Sequence, residues 1–175
     1  PKDFPFKVIN TIIQPSHHMP SYYHWHECLE ISYVKMGKGE YYVEGQTFPM
    51  GPGDIILFNN VETHTWRAIP PDPMVQPVIV FHPSLIWPGS ENLFDYQYLK
   101  PFIYKCTNFN NKLPAGHPVT RRIYNLLLYI QGEYNKKESG YQLMIKAKLL
   151  EIMTLLIRHF QDDNKKTEFL YYKKQ

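Results

Sequence analysis

The residues best equipped for chemistry lie in one stretch, His24-Trp25-His26-Glu27-Cys28-Leu29-Glu30, which brings together two imidazoles and two carboxylates. Neutral imidazole and carboxylate ligate divalent ions of the zinc, nickel or iron kind, and they also hydrogen-bond organic ligands. At the two-residue period of a strand, His24, His26, Cys28 and Glu30 share one face, with Trp25, Leu29, Ile31 and Tyr33 on the other. A straight strand would hold the Glu30 carboxylate about 20 Å from His24, at roughly 3.3 Å per residue, whereas the ligands of one ion converge at about 2 Å from it. A shared site therefore requires the chain to bend near Glu27-Cys28. Farther on, Gly51-Pro52-Gly53-Asp54 introduces the apolar strand Ile55-Ile56-Leu57-Phe58, and the turn from Asn59 to Thr63 delivers a third histidine, His64.

The elements that must position these groups read as short strands. Residues 6 to 14 form the first, and Pro15-Ser16-His17-His18-Met19-Pro20 breaks it, leaving His17 and His18 as an exposed loop pair. Gly37-Lys38-Gly39 turns into Glu40-Tyr41-Tyr42-Val43, and Glu44-Gly45 turns again into Gln46-Thr47-Phe48. Turns at intervals of about eight to twelve residues are the pattern of a small sandwich or barrel. The segment Ile69-Pro70-Pro71-Asp72-Pro73 lacks ladder donors and reads as a loop before the strand Val78-Ile79-Val80-Phe81-His82, with His82 a strand-end structural residue. Residues 84 to 117 read as irregular cover with one short helix near Leu93 to Leu99.

From Pro118 the period becomes helical. Ile123, Leu126, Leu127, Ile130 and Tyr134 define one helix, and Ser139 with Gln142 is suited to cap a second. The second carries two apolar rows, Leu143-Ala147-Leu150-Ile157 and Ile145-Leu149-Ile152-Leu156-Phe160, more than one packing face uses. One row is expected on the domain itself and the other on a partner chain, with Leu149 and Leu156 assigned to the partner contact. The polar tail after Gln161 reads as a linker.

Hydrophobic residues make up 43% of the 175 and charged residues 20%, which argues for a globular fold rather than disorder. Lys and Arg number 19 against 16 Asp and Glu, a formal charge of +3 to which Lys165, Lys166, Lys173 and Lys174 in the tail contribute. No basic stripe marks a nucleic-acid surface. Cys28 and Cys106 are too few for a disulfide framework or thiolate zinc site and fit reduced thiols of a cytoplasmic protein. No apolar run reaches the about 18 residues of a membrane span, and no secretory signal or membrane partner is expected.

The spacing His24-x-His26-x-x-x-Glu30, then Gly37, resembles the first cupin motif, and His64 stands in the ligand place of the second, with Asn59 and Val61 where that family usually has Pro and Gly. With Leu29-Glu30-Ile31, Tyr33-Val34, Gly37-x-Gly39, Gly45 and Pro52-Gly53-Asp54, the chain is similar over about residues 8 to 160 to the effector-binding arm of AraC/XylS-type transcriptional regulators. The resemblance implies a mainly β fold with C-terminal helices: a cupin, jelly-roll-like double-stranded β-helix barrel followed by a two-helix appendage. Residues 1–117 would form the barrel and its cover, 118–161 the dimerisation helices and 162–175 a linker. The family's helix-turn-helix units, which bind DNA, are expected to be missing from this chain. The implied function is non-enzymatic: sensing of a small-molecule effector, such as a sugar, by a homodimer. His24, His26, Glu30, Tyr33, His64 and Trp66 are the candidate ligand-binding residues, and His24, His26, Glu30 and His64 the candidate set for a divalent metal. A metal-dependent cupin enzyme of the dioxygenase or isomerase type is the alternative, lacking an obvious further base unless Glu27, Glu62 or Tyr33 serves. A metal-free cluster with Glu30 as hydrogen-bond partner also stays open.

Overall fold

A computed structural model describes residues 4–87, 98–99, 102 and 110–163. The short helix expected near Leu93 to Leu99 and the linker expected at 162–175 lie largely outside these residues. Among the described residues, eight strands run β1 Phe6–Ile13, β2 Leu29–Tyr33, β3 Gly39–Val43, β4 Gln46–Met50, β5 Ile55–Phe58, β6 His64–Ala68, β7 Met74–Phe81 and β8 Lys112–Leu113. Two helices follow, α1 Pro118–Lys136 and α2 Tyr141–Asp163. The strands form two antiparallel sheets, one ordered β1-β7-β2-β5-β8 and the other β4-β3-β6. The result is a cupin-type β barrel with two C-terminal helices.

The larger sheet is covered on both faces, which explains why β2 and β5 bury every residue. Towards the smaller sheet, Ile56 and Phe58 join Tyr41, Val43, Met50, Ala68 and Met74 in the barrel interior. Towards the helices, Leu29, Ile31, Tyr33, Ile55, Leu57, Ile79 and Phe81 pack with Ile123, Leu127 and Ile130 of α1 and with Ile145, Leu149, Ile152 and Leu156 of α2. Glycine is demanded where the loop after β2 approaches β7. Gly37 holds φ +79°, and a Cβ there would lie 2.2 Å from the Pro73 carbonyl oxygen.

Strand β7 begins at Met74, earlier than the apolar run alone suggested, because Met74 to Gln76 pair with β1 from Ile13 to Thr11. Pro118 occupies the first turn of α1, where the His117 side chain accepts from the Val119 N–H. Helix α2 starts one residue later than the Ser139 cap would require. Gly140 at φ +83° closes a turn in which the Tyr141 N–H donates to the Glu138 carbonyl, and the Gly140 carbonyl accepts the first helical bond from Met144.

The assignment of the two apolar rows is also corrected. Leu149 and Leu156 are fully buried within their own chain, so they are core residues rather than a partner surface. Leu143, Ala147 and Leu150 are the exposed row.

Candidate ligand and metal site

The bend needed for a shared site occurs at Glu27 and Cys28, immediately before β2 begins. It folds Glu30 back beneath the histidines. His24 reaches His64 through a two-bond antiparallel bridge: the His24 N–H donates to the His64 carbonyl at 3.1 Å and the His64 N–H to the His24 carbonyl at 2.9 Å. Their ring centroids lie 4.3 Å apart, and His26 stands 5.2 Å from His64. One ring nitrogen from each of His24, His26 and His64 falls within 4.8 Å of the others. Glu30 Oε2 lies 3.1 Å from His26 Nε2 and 3.9 Å from His64 Nε2.

The turn that carries His64 is tightly specified. Val61 takes φ 61°, a left-handed backbone that favours glycine, and its N–H donates to the His26 carbonyl at 2.9 Å. The buried Glu62 carboxylate accepts from the Asn59 N–H and from Asn111 Nδ2. Glu62 therefore holds a turn rather than serving as a base. Ser32 donates to Glu30 Oε1 at 2.9 Å and orients that carboxylate.

Hydrogen bonding selects the tautomers. His64 Nδ1 faces the Glu62 carbonyl at 2.8 Å and His26 Nδ1 the Cys28 carbonyl at 3.0 Å, so both Nδ1 atoms must donate. The His64 Nε2 lone pair then points into the cluster, buried and without a protein partner, as is His24 Nδ1. With its Nδ1 donating, His26 Nε2 meets Glu30 Oε2 at 3.1 Å through a shared proton or beside a shared cation. Burial pushes the His24 and His64 pKa values down, while the hydrogen bond to Glu30 pushes that of His26 up. Ring nitrogens of three histidines gathered beside a carboxylate, two of the rings oriented by an Nδ1–H to a backbone carbonyl, are a donor set that fits a divalent cation.

The cluster opens into a cavity of about 700 Å³. Trp66 lines it, edge-on to His24 at 5.3 Å between centroids. Tyr33 does not belong to it. As an odd-numbered residue of β2 it faces α1, fully buried, with its hydroxyl donating to Gln131 Oε1 at 3.0 Å and burial raising its pKa well above the ordinary phenol value. The sequence reading missed the far wall of the cavity, made by Lys7, Ile9 and Thr11 of β1, Val78 and Val80 of β7, and Tyr134 of α1. Its signal was the alternation of Lys7, Ile9 and Thr11 along β1.

The family model described as the AraC-like ligand binding domain matches residues 12–153, most of the chain and all of this cluster. The chain belongs to this family. Among curated proteins, none matches the AraC-like domain described here. Solved structures similar to it include a cupin protein from Bacteroides fragilis at 19% identity, covering 45% of this chain and 67% of that one with a TM-score of 0.41. KdgF from a Halomonas species shares 22% identity over 45% of this chain and 71% of its own, with a TM-score of 0.40. The lyase DddQ of Ruegeria pomeroyi shares 21% over 46% of this chain and 40% of its own, with a TM-score of 0.41. These likenesses cover less than half of the AraC-like domain and say nothing about its chemistry.

Proposed function

We propose that this AraC-like domain is the ligand-sensing and dimerisation part of a bacterial transcriptional regulator working in the cytoplasm. It takes a small-molecule effector, sugars among the candidates, into the cavity beside His24, His26, Glu30, His64 and Trp66. The observation that carries this reading is that the cavity wall is shared between the barrel and the helical appendage. Phe6 and Tyr134 both line it and meet at 5.5 Å in an edge-to-face contact. A ligand that prefers one arrangement of that contact shifts the position of α1, which is the differential interaction a sensor requires. Dimerisation is assigned to the exposed Leu143, Ala147 and Leu150 on α2, with the exposed Tyr129 of α1, which lies under Lys148 of α2, beside them.

A divalent ion of the zinc, nickel or iron kind would be held by His24, His26, Glu30 and His64, and would supply Lewis acidity or an anchoring charge to the effector. The second reading, a metal-dependent cupin enzyme of the dioxygenase or isomerase type, draws on the same unpartnered lone pairs of His24 and His64. Fluorescence of Trp66 in a Trp25→Phe/Trp87→Phe protein, titrated with sugars and with zinc, nickel or iron(II), tests the assignment. A saturable change without turnover of the ligand is expected of a sensor. Turnover would favour the enzyme, and absence of any saturable change would contradict both.

A further inference from the structure

The histidine cluster presents hydrogen-bond acceptors to the cavity and no fixed cation. Glu30 lines the cavity although only 4% exposed. Its Oε1 takes the Ser32 hydroxyl and its Oε2 meets His26 Nε2, which leaves lone pairs free on a carboxylate that can accept at about four sites. His64 Nε2, 3.9 Å from the same Oε2, is fully buried without a donor. His24 lines the cavity with Nδ1 buried and unpartnered, and no hydrogen bond fixes its tautomer, so the nitrogen it offers the cluster is free to accept. Buried acceptors without donors carry a desolvation cost that a donating ligand would recover.

The group that suits these acceptors carries positive charge opposite Glu30 and donates several hydrogen bonds from one atom. A primary ammonium has three N–H donors and no acceptor. Acceptors at about 2.8 Å from a tetrahedral ammonium nitrogen stand about 4.6 Å apart, and the ring nitrogens of His24, His26 and His64 lie within 4.8 Å of one another. A single hydroxyl brings one donor and no charge, and an anion would face Glu30 and the lone pairs. The cavity, about 700 Å³, is far larger than an ammonium group, so the cation has an organic body. Ile9, Val78 and Val80 give that body an apolar wall, and Trp66, edge-on to His24, adds an indole that attracts cations. Lys7 stands exposed at the rim, where its ammonium stays in water.

We propose that the effector is a primary organic amine, its ammonium donating to Glu30 Oε2 and to ring nitrogens of His24 and His64, its apolar body against Trp66, Ile9, Val78 and Val80. This rests on the cavity being the effector site, and the ammonium takes the place a divalent ion would fill. The test is calorimetric titration, at neutral pH, of the chain freed of metal by EDTA and desalting. Hexylamine and phenethylamine are each compared with the matching alcohol and with the N-trimethylated analogue, which keeps the charge and loses the donors. Glu30→Gln and Ile9→Trp are titrated alongside, with urea unfolding checking that each is folded; the ligand comparisons on wild type stand whether or not Glu30→Gln folds. At least one amine is expected to bind about tenfold or more tightly than both of its analogues. Glu30→Gln should remove that preference, and Ile9→Trp should abolish binding. Alcohols binding as well as the amines, and lost in Ile9→Trp, would overturn the ammonium while leaving the cavity as the effector site. Amine binding indifferent to both Glu30→Gln and Ile9→Trp would overturn both assignments. Failure of both amines to bind up to about 10 mM, or their binding only after zinc is restored, would also overturn the ammonium.

Discussion

Val61 shows how much of the site rests on single residues. A β-branched side chain at φ 61° is strained by about 1–2 kcal/mol, yet the turn is held by the Val61 N–H on the His26 carbonyl and by Glu62 on the Asn59 N–H. Glycine at this position would relieve the strain at the cost of about 0.5–1 kcal/mol in unfolded-chain entropy. Val61→Gly is therefore expected to leave stability unchanged or raise it by up to about 1 kcal/mol in urea unfolding, with His64 still in place. Gly37→Ala should act in the opposite direction and lower stability by more than about 1 kcal/mol, since φ +79° and the Pro73 carbonyl at 2.2 Å leave no room for a methyl group. That His24, His26, Glu30 and His64 could come together was legible because only a few residue types can ligate or share protons and their spacing allows it, and the structure gathers the four side chains. The orientation of Tyr33 was legible as well: the two-residue period sets it on the face opposite His24, His26 and Glu30, and the strand keeps that parity, packing Leu29, Ile31 and Tyr33 towards the helices.

At the scale of elements, the helices are clamped as well as packed. Gln131 of α1 accepts at Oε1 from the Tyr33 hydroxyl at 3.0 Å and from Lys35 Nζ at 2.9 Å, and donates to Asn10 Oδ1 at 2.7 Å. Gln131→Ala leaves the buried Tyr33 hydroxyl unpartnered and should cost about 1–3 kcal/mol in denaturant unfolding. The two rows of α2 predict separate phenotypes. Leu149→Ala should destabilise the folded chain by about 2–5 kcal/mol, whereas Leu143→Asp with Leu150→Asp should change stability by under about 0.5 kcal/mol each and convert a dimer to a monomer in sedimentation velocity. A wild-type chain that sediments as a monomer at high micromolar concentration would contradict the dimer. The strands and helices were legible because their punctuation is local: glycines at 37, 45 and 53 take positive φ at turns, and Pro118 opens α1. The assignment of α2's rows was not legible, since periodicity reveals an apolar face without revealing what covers it.

For the whole molecule, the barrel was legible as a type of fold from its turn spacing and motif resemblance, while the cavity was not. The wall contributed by Lys7, Ile9 and Thr11 depends on the pairing of β1 with β7, contacts about 70 residues apart in the chain that no local pattern encodes. The near-neutral charge of +3 predicts only weak, salt-sensitive association of residues 1–175 with duplex DNA, and a sequence-specific mobility shift at physiological salt would contradict that. The central claim, that the cavity beside His24, His26, Glu30 and His64 holds the effector, is tested most directly by native mass spectrometry of untagged protein purified without added metal. Wild type is predicted to carry one small organic molecule or one divalent ion per chain, the organic mass lost in Ile9→Trp and the metal mass lost in His64→Ala. Wild type and both variants carrying the same mass, or wild type remaining bare after incubation with sugars and with zinc, nickel or iron(II), would contradict it.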